Sequence, residues 1–222
     1  MKSDFLTQLL ITFSLLMISI SSHAAQWYHV EIIVFEQLFT VTDEQWPYMS
    51  EIEKSPINPS TNNKRMKPTA VSTLIDSKNK LSRSSKYRVH YHHAWQQPIM
   101  RKGSAKAVTI AAANGMIEGN IRLYKSTYLH ASVDLWLLEN KAPINNWSDI
   151  SPDGENINLL VRNPHLKQSH RIRSKKLHFF DNPKLGALLQ LTPIETPTSA
   201  QQSAKALESY SLPEEAAPTA TE

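Results

Sequence analysis

The sequence predicts a single α+β domain built on a largely antiparallel sheet, with one or two helices. Three observations favour this class. About six segments between residues 27 and 191 are rich in β-branched and aromatic residues, which is typical of strands. Only residues 69–85 place apolar side chains near the helical period with no Gly or Pro between them. Several strand segments are joined by connections as short as those of antiparallel hairpins.

The amino terminus predicts export. Lys2 precedes a mostly apolar run over residues 6–20, and Ser22 and Ala24 are the small residues that a signal peptidase needs. The run is shorter than the ~20 apolar residues that span a bilayer, which favours a cleaved signal peptide over an uncleaved anchor. We therefore expect residues 1–24 to be a signal peptide and the mature protein to work outside the cytoplasm, away from nucleic acid.

Composition limits the chemistry and divides the chain. No cysteine occurs in the 222 residues, so disulfides, thiolate metal sites and a lipoprotein anchor are excluded. The chain has a net charge of +4, yet residues 194–222 contain one lysine and five glutamates. The predicted domain, residues 25–193, is therefore the basic part, and the acidic tail after it is predicted to be disordered. Anionic partners of such an exported domain are wall carboxylates, lipid head groups and acidic protein faces.

The first elements are a strand, a loop and a helix. Residues 27–35 predict a strand that is covered on both faces, and residues 40–68, with four prolines, predict a long surface loop. Residues 69–85 predict an amphipathic helix, whose apolar face would consist of Val71, Leu74, Ile75 and Leu81.

The later elements are all predicted as strands. Residues 87–95 alternate, so one face should carry Tyr87, Val89, Tyr91, His93 and Trp95, and the other Arg88, His90 and His92. Residues 116–124 and 128–139 predict a hairpin, and the core row of its second strand should be Leu129, Ala131, Val133, Leu135 and Leu137. The last extended segments are predicted at residues 157–162, 166–179 and 187–191.

Metal and catalytic motifs are weak. His90 and His92 could hold an ion together with His29 or His130, but the spacing places no carboxylate or fourth ligand, so we expect no metal and no cofactor. Nucleophile and phosphate-loop motifs are missing from the sequence. Glu118 and Asp134 could form the carboxylate pair of a hydrolase, which stays the lesser alternative to a protein with no catalytic residues.

The strongest local feature is a run of six cations with no acid between residues 162 and 176. Strand alternation would put Lys167, Arg171, Arg173 and Lys175 on one face, as a stripe suited to binding carboxylates. An edge strand that charge keeps soluble is an equally good interpretation. Among the five tryptophans, which are more often core than ligand platforms, Trp136 is the best exception because it shares a face with His130 and Asp134.

Four motifs in order resemble the CsiV family of peptidoglycan-binding proteins from Gram-negative envelopes. They are Trp-x-x-Val-Glu-x-Ile-Val-Phe from Trp27, Tyr-Arg-Val-x-Tyr-His-x-Ala-Trp-x-Gln-Pro from Tyr87, Gly-x-Ile-x-Leu-Tyr-x-x-x-Tyr-Leu-His from Gly119, and Leu-His-Phe-Phe-Asp-Asn-Pro-x-x-Gly from Leu177. The resemblance spans Trp27 to Pro193. It implies a non-enzymatic periplasmic protein that binds peptidoglycan and supports its synthesis and cell shape, through lipoprotein activators of penicillin-binding proteins in the outer membrane.

The residue pattern and the resemblance together lead to a binding hypothesis. Arg171, Arg173 and Lys175 would pair with stem-peptide carboxylates. The glycan would be flanked by Trp136, His130 and Arg122. The alternative is a protein-interaction adaptor of the wall-synthesis machinery that has no affinity for the wall itself.

Overall fold

Two antiparallel sheets pack face to face around the core. The computed structural model describes residues 25–49, 57–63, 65–139 and 162–198. The first sheet contains β1 (Trp27–Gln37), β2 (Lys67–Pro68), β3 (Tyr87–Pro98), β8 (Leu177–Asp181) and β9 (Leu185–Ile194), in the order β2-β3-β1-β9-β8. The second contains β4 (Ala107–Ala111), β5 (Ile117–Lys125), β6 (Leu129–Leu137) and β7 (His165–Ile172), in chain order.

The inner faces of both sheets supply the main core. Val30, Ile32 and Val34 of β1 belong to the same buried cluster as Val133 and Leu135 of β6. The predicted core row of β6 is confirmed: residues 131, 133, 135 and 137 are buried, and Leu129 packs against the cluster. The tryptophans expected in the core include Trp27 and Trp95, both of which are buried.

β1 is the central strand of its sheet and is covered on both faces, as predicted. Every residue from Trp27 to Glu36 is buried. β1 pairs with β3 on one side and with β9 on the other. The outer face of β1 is covered by a second, smaller cluster that joins Ile33 and Phe35 to Leu74, just before the helix.

One helix, α1 (Ile75–Arg83), lies on the outer face of the first sheet. It is shorter than the predicted span of 69–85, and only part of the predicted apolar face is used: Leu74 is 5% exposed, but Val71 is 63% and Ile75 45% exposed. The fold of the described residues is therefore mainly β, which corrects the predicted α+β class, while the single domain and the antiparallel sheets are confirmed.

The buried carboxylate of Glu31 attaches the start of the helix to the sheet. It accepts hydrogen bonds from the backbone N–H groups of Thr73 and Leu74, at 2.6 and 3.1 Å, and from the hydroxyls of Ser72 and Thr73. Burial raises the pKa of Glu31, but hydrogen bonds from Ser72, His92 and Thr73 outweigh it and lower the pKa to about 2.

Two strand predictions are wrong in their details. β3 has an irregularity at His90, because Val89 pairs with Phe35 and Tyr91 with Val34, so its side chains change faces there. Tyr87 and Val89 therefore pack in the outer cluster, whereas Tyr91 and Trp95 pack in the main core. The predicted single strand over residues 166–179 is broken by a turn between Ile172 and Leu177, where the chain crosses from one sheet to the other.

Several of the remaining predictions are confirmed, and others concern segments outside the described residues. The hairpin of β5 and β6 and the last strand are present, and the loop over residues 40–68 holds where it is described, apart from short β2 and isolated bridges. β4 was not predicted. The signal peptide, the segment 157–161, Trp147 and most of the acidic tail lie outside the described residues.

Candidate functional site: a basic and aromatic sheet face

The outer face of the second sheet carries most of the predicted binding residues. Antiparallel pairing and alternation place the side chains of β5, β6 and β7 in rows across this face. The row beside the β5–β6 turn contains Tyr124, His130 and Arg171, because Tyr124 pairs with His130 and His130 with Arg171. The next row contains Arg122, paired with Ser132.

Ring stacking fixes the side chains of the first row. The imidazole of His130 stacks on Tyr124 with the centroids 5.1 Å apart and the rings 5° from parallel. The guanidinium carbon of Arg171 lies 3.2 Å from the centroid of Tyr128, which comes just before β6. Tyr128 is 48% exposed and Arg171 is exposed, so the pair lies at the surface. A guanidinium held flat on a ring keeps its N–H edge available for a carboxylate.

Arg122 connects this face to the loop between β3 and β4. Its Nε donates to the carbonyl of Ala105 at 3.2 Å, and one Nη donates to the carbonyl of Lys102 at 2.6 Å. The ammonium of Lys102 in turn lies 5.7 Å from the centre of the Tyr124 ring. Arg122 therefore holds the loop in place, and part of its hydrogen-bonding capacity is used in these two contacts.

The cationic stripe is shorter than the sequence predicts. β7 ends at Ile172, so Arg173 and Lys175 lie in the following turn rather than in phase with Arg171. The N–H of Arg173 donates to His178 at 2.9 Å. Lys175 has a φ of 61° and its N–H donates to Leu191, on the other sheet, at 2.7 Å. Both residues are exposed, and within the described ranges neither side chain has an ion pair.

Lys167, from the predicted stripe, and Trp136, predicted to flank the glycan, lie in other rows of this face. Lys167 is 3.1 Å from Asp134, which also accepts a hydrogen bond from His165 at 2.7 Å. Trp136 stacks on His165 with the centroids 3.7 Å apart and is only 1% exposed. Along β6, Trp136 is six residues from His130, a distance of about 20 Å. The structure thus does not bring Trp136 together with the arginines.

Strand pairing and ring contacts bring together Arg122, Tyr124, Tyr128, His130 and Arg171. With the exposed Arg173 and Lys175 of the turn after β7, they form what we call the basic–aromatic surface. β7 is the edge strand of its sheet, as the alternative interpretation of its charges required. A family model described as "Peptidoglycan-binding protein, CsiV" matches residues 5–194.

The chain belongs to the CsiV family. The match includes all the strands from β1 to β9, so the resemblance noted in the four motifs is confirmed. The description of the CsiV family points to a non-catalytic binding protein and is consistent with a place in the cell envelope. Comparison with curated proteins and with solved structures gave no match.

The histidines of β3 in this CsiV-family chain do not form a metal site. The irregularity at His90 directs it to Glu36, 2.9 Å away, while His92 lies on the opposite face and is 2.6 Å from Glu31. The predicted common face of His90 and His92 is therefore wrong. His29 comes within 3.6 Å of Glu31, yet the described residues assemble no group of three or more side chains suited to a metal ion.

The two carboxylates proposed for a hydrolase lie on the outer face of the second sheet of the CsiV fold, and Asp134 is engaged there by its neighbours. Glu118 pairs with Trp136, and Asp134 pairs with Asn120, so the two acids lie in adjacent rows of the outer face as diagonal neighbours. The hydrogen bond from His165 lowers the pKa of Asp134, burial opposes it, and Lys167 lowers it further. Asp134 is therefore held as a carboxylate, which is a poor state for a general acid.

Sequence analysis missed Tyr124, Tyr128 and Lys102 of the CsiV-family chain. Tyr124 alternates in phase with Arg122, and Tyr128 alternates in phase with His130, so the strand period contained enough information to find both. Lys102 lies in a loop, and only the fold brings it to Tyr124. No helix in the described residues is long and apolar enough to cross a membrane.

Proposed function

We propose that this protein works in the periplasm and binds peptidoglycan noncovalently through the basic–aromatic surface, in support of wall synthesis and cell shape. The family description supports the ligand. The observation that carries the site is the guanidinium of Arg171, which is exposed and lies 3.2 Å from the centre of the Tyr128 ring. Stem peptides supply the carboxylates that an arginine fork binds with two parallel hydrogen bonds.

Each contact in this site contributes little alone. Exposed ion pairs stabilise a complex by about 0.2–1 kcal/mol each, and salt screens them over a Debye length of ~8 Å. A wall polymer repeats its carboxylates, so several weak contacts act together. Arg171, Arg173 and Lys175 would meet the carboxylates, and the rings of Tyr124, Tyr128 and His130 would contact sugar.

The other predicted site residues take supporting roles in this proposal. Arg122 keeps the β3–β4 loop against the sheet, so that Lys102 stays near Tyr124. Trp136 is buried and stacked, and we leave it out of the contact surface. Asp134 is hydrogen-bonded to His165 and ion-paired with Lys167, so we give it a structural role in this face.

Co-sedimentation with protein-free sacculi tests the proposal directly. Residues 25–222 should pellet with the sacculi and release no muropeptides in the same tube. Arg171→Ala with Arg173→Ala should weaken binding about tenfold, because two arginine–carboxylate pairs are lost. The matched control is Lys80→Ala with Arg83→Ala, two exposed cations in the last turn of α1.

A conservative variant separates charge from geometry. Arg171→Lys keeps the charge but not the planar fork that lies on Tyr128, so it should also bind several-fold more weakly than the wild type. Equal losses for the control pair, or binding that resists high salt, would reject the surface. Release of muropeptides would restore the hydrolase alternative.

Failure to pellet would favour the adaptor. In that case the same exposed arginines would dock on an acidic protein face, such as that of a lipoprotein activator of penicillin-binding proteins in the outer membrane. Retention on sacculi that carry no other protein distinguishes a direct wall contact from such an assembly.

A further inference from the structure

The strand connections gather a second set of cations at one end of the sandwich. β3 ends at Pro98 and β4 begins at Ala107, so the loop between them crosses from the first sheet to the second. β2 pairs beside it, with Lys67 opposite Gln96. Arg101 forms a bridge with Lys125 at the end of β5. We call the exposed or half-buried cations of these segments the basic rim: Arg65, Lys67, Arg101, Lys102, Lys106 and Lys125.

The charge of the basic rim is uncompensated. None of its members has an ion pair in the part of the chain that the structure describes. Glu195, which follows β9 at the same end as Trp27 and Pro98, is a described carboxylate at this end of the sandwich. Six unpaired cations at one end repel one another, and a sheet of anions relieves that repulsion.

An apolar pocket opens within the basic rim. Arg65 and Lys106 line it together with Met66, Met100 and Leu123. Met66 and Leu123 are buried, whereas Met100 is half-buried and Arg65 and Lys106 are exposed. Long cationic side chains around an apolar opening are typical of residues that meet a lipid surface, where the charge reaches the head groups and the stem lies on hydrocarbon.

The described chain enters the fold at the end that carries the basic rim. Trp27, the first residue of β1, pairs with Pro98, so the described chain begins at the end that carries the basic rim. The mostly apolar run of residues 6–20 comes just before it in sequence. The segment that leads into β1 therefore joins the fold at this end.

We propose that the basic rim docks on a membrane surface rich in anionic phospholipid. The rim lies on the loops at the end of the sandwich, whereas most of the basic–aromatic surface lies on a sheet face. The two meet at Lys102 and at Lys125, which follows Tyr124 and pairs with Leu129. The protein thereby contacts the membrane and the wall through different side chains. Phosphate head groups neutralise the cations, and the apolar opening between Arg65 and Lys106 faces the lipid interface.

Vesicle co-sedimentation tests this docking. Residues 25–222 should pellet with vesicles of equal parts phosphatidylglycerol and phosphatidylcholine, and stay in solution with phosphatidylcholine alone. Each basic residue near an anionic surface strengthens binding about fivefold, so Arg65→Glu with Lys106→Glu should weaken it by more than about tenfold. Lys80→Glu with Arg83→Glu on α1 is the control of equal charge and should change vesicle binding less.

Two further arms decide what the rim recognises. Inorganic phosphate at the ionic strength of a chloride reference should release no more protein than chloride does; greater release would show a site for a single phosphate and overturn docking on a surface. The rim variant should still bind sacculi, and the Arg171→Ala/Arg173→Ala variant should still bind vesicles. Loss of sacculus binding with unchanged vesicle binding in the rim variant would assign the rim to the wall instead.

Discussion

Glu31 shows how one residue can decide where an element begins. Sequence periodicity extends the helix back to residue 69, but the N–H groups of Thr73 and Leu74 are already bonded to the Glu31 carboxylate. The partners are 42 and 43 residues apart, so no local pattern contains this information. The same carboxylate lies 2.6 Å from His92 of β3, which makes it a link between β1, β3 and the start of α1.

Replacing this carboxylate should destabilise the fold. Glu31→Gln removes a buried charge that accepts several hydrogen bonds, and we expect the free energy of unfolding in urea to fall by about 2–4 kcal/mol. Glu44→Gln, at an exposed position in the loop after β1, is the control and should change it little.

The pH dependence of the same variant gives a second readout. The pKa of Glu31 is lowered from 4.5 to about 2 in the folded protein, so its contribution is fully present above pH 4.5 and is lost as pH falls towards 2. The wild type should therefore lose more stability than Glu31→Gln over that range. Parallel losses in the two proteins would show that Glu31 is not the group responsible.

At the scale of elements, alternation predicts strands well and interruptions poorly. The faces of β6 follow from the two-residue period alone, and the structure has them as predicted. In β3 and after β7 the two-residue alternation does not predict the structure. Neither the extra residue at His90 nor the turn at residues 173–176 changes the hydrophobic pattern of the sequence. Half of the predicted stripe was lost for this reason, whereas Arg122, His130 and Arg171 share a face as expected.

A glycine in β5 offers a sharp test of the hairpin that carries part of the basic–aromatic surface. Gly119 has a φ of 153°, and a Cβ atom there would lie 2.1 Å from the carbonyl oxygen of Asp134 on β6. Gly119→Ala should therefore force the two strands apart and cost at least about 2 kcal/mol of stability. Gly103→Ala is the matched control, because nothing lies within 4 Å of its added Cβ. Thermal unfolding of both variants measures the difference, and equal midpoints would contradict the crowded β5–β6 contact.

At the scale of the whole molecule, the fold brings together charged residues that are far apart in the sequence. The run between residues 162 and 176 is visible in the sequence, but the basic rim is assembled from three segments that only the sheet connections bring together. Asp181, the last residue of β8, and Glu139, which comes after β6, lie at the opposite end. The basic rim therefore lies at the end where the described chain begins and where β9 ends.

The acidic tail starts from this cationic end, which leads to a prediction. Ending the chain at Thr198 removes most of the charge of residues 194–222, one lysine against five glutamates. Binding to sacculi and to anionic vesicles at low salt should become about two- to fivefold stronger, because less negative charge competes for the cations. The unfolding free energy should not change, and weaker binding would instead mean that the tail itself contacts the partner.

The position of β1 has a consequence for how the protein acquires its structure. The strand that comes first in the chain is completed by β9, which comes last, and Gln26 is hydrogen-bonded to Ile194 across 168 residues. Contacts between distant parts of a chain make folding slow, since loop closure must precede them. A polypeptide that emerges amino terminus first therefore cannot finish its central sheet until nearly all of it has emerged, and must rely until then on protection from proteases and from aggregation.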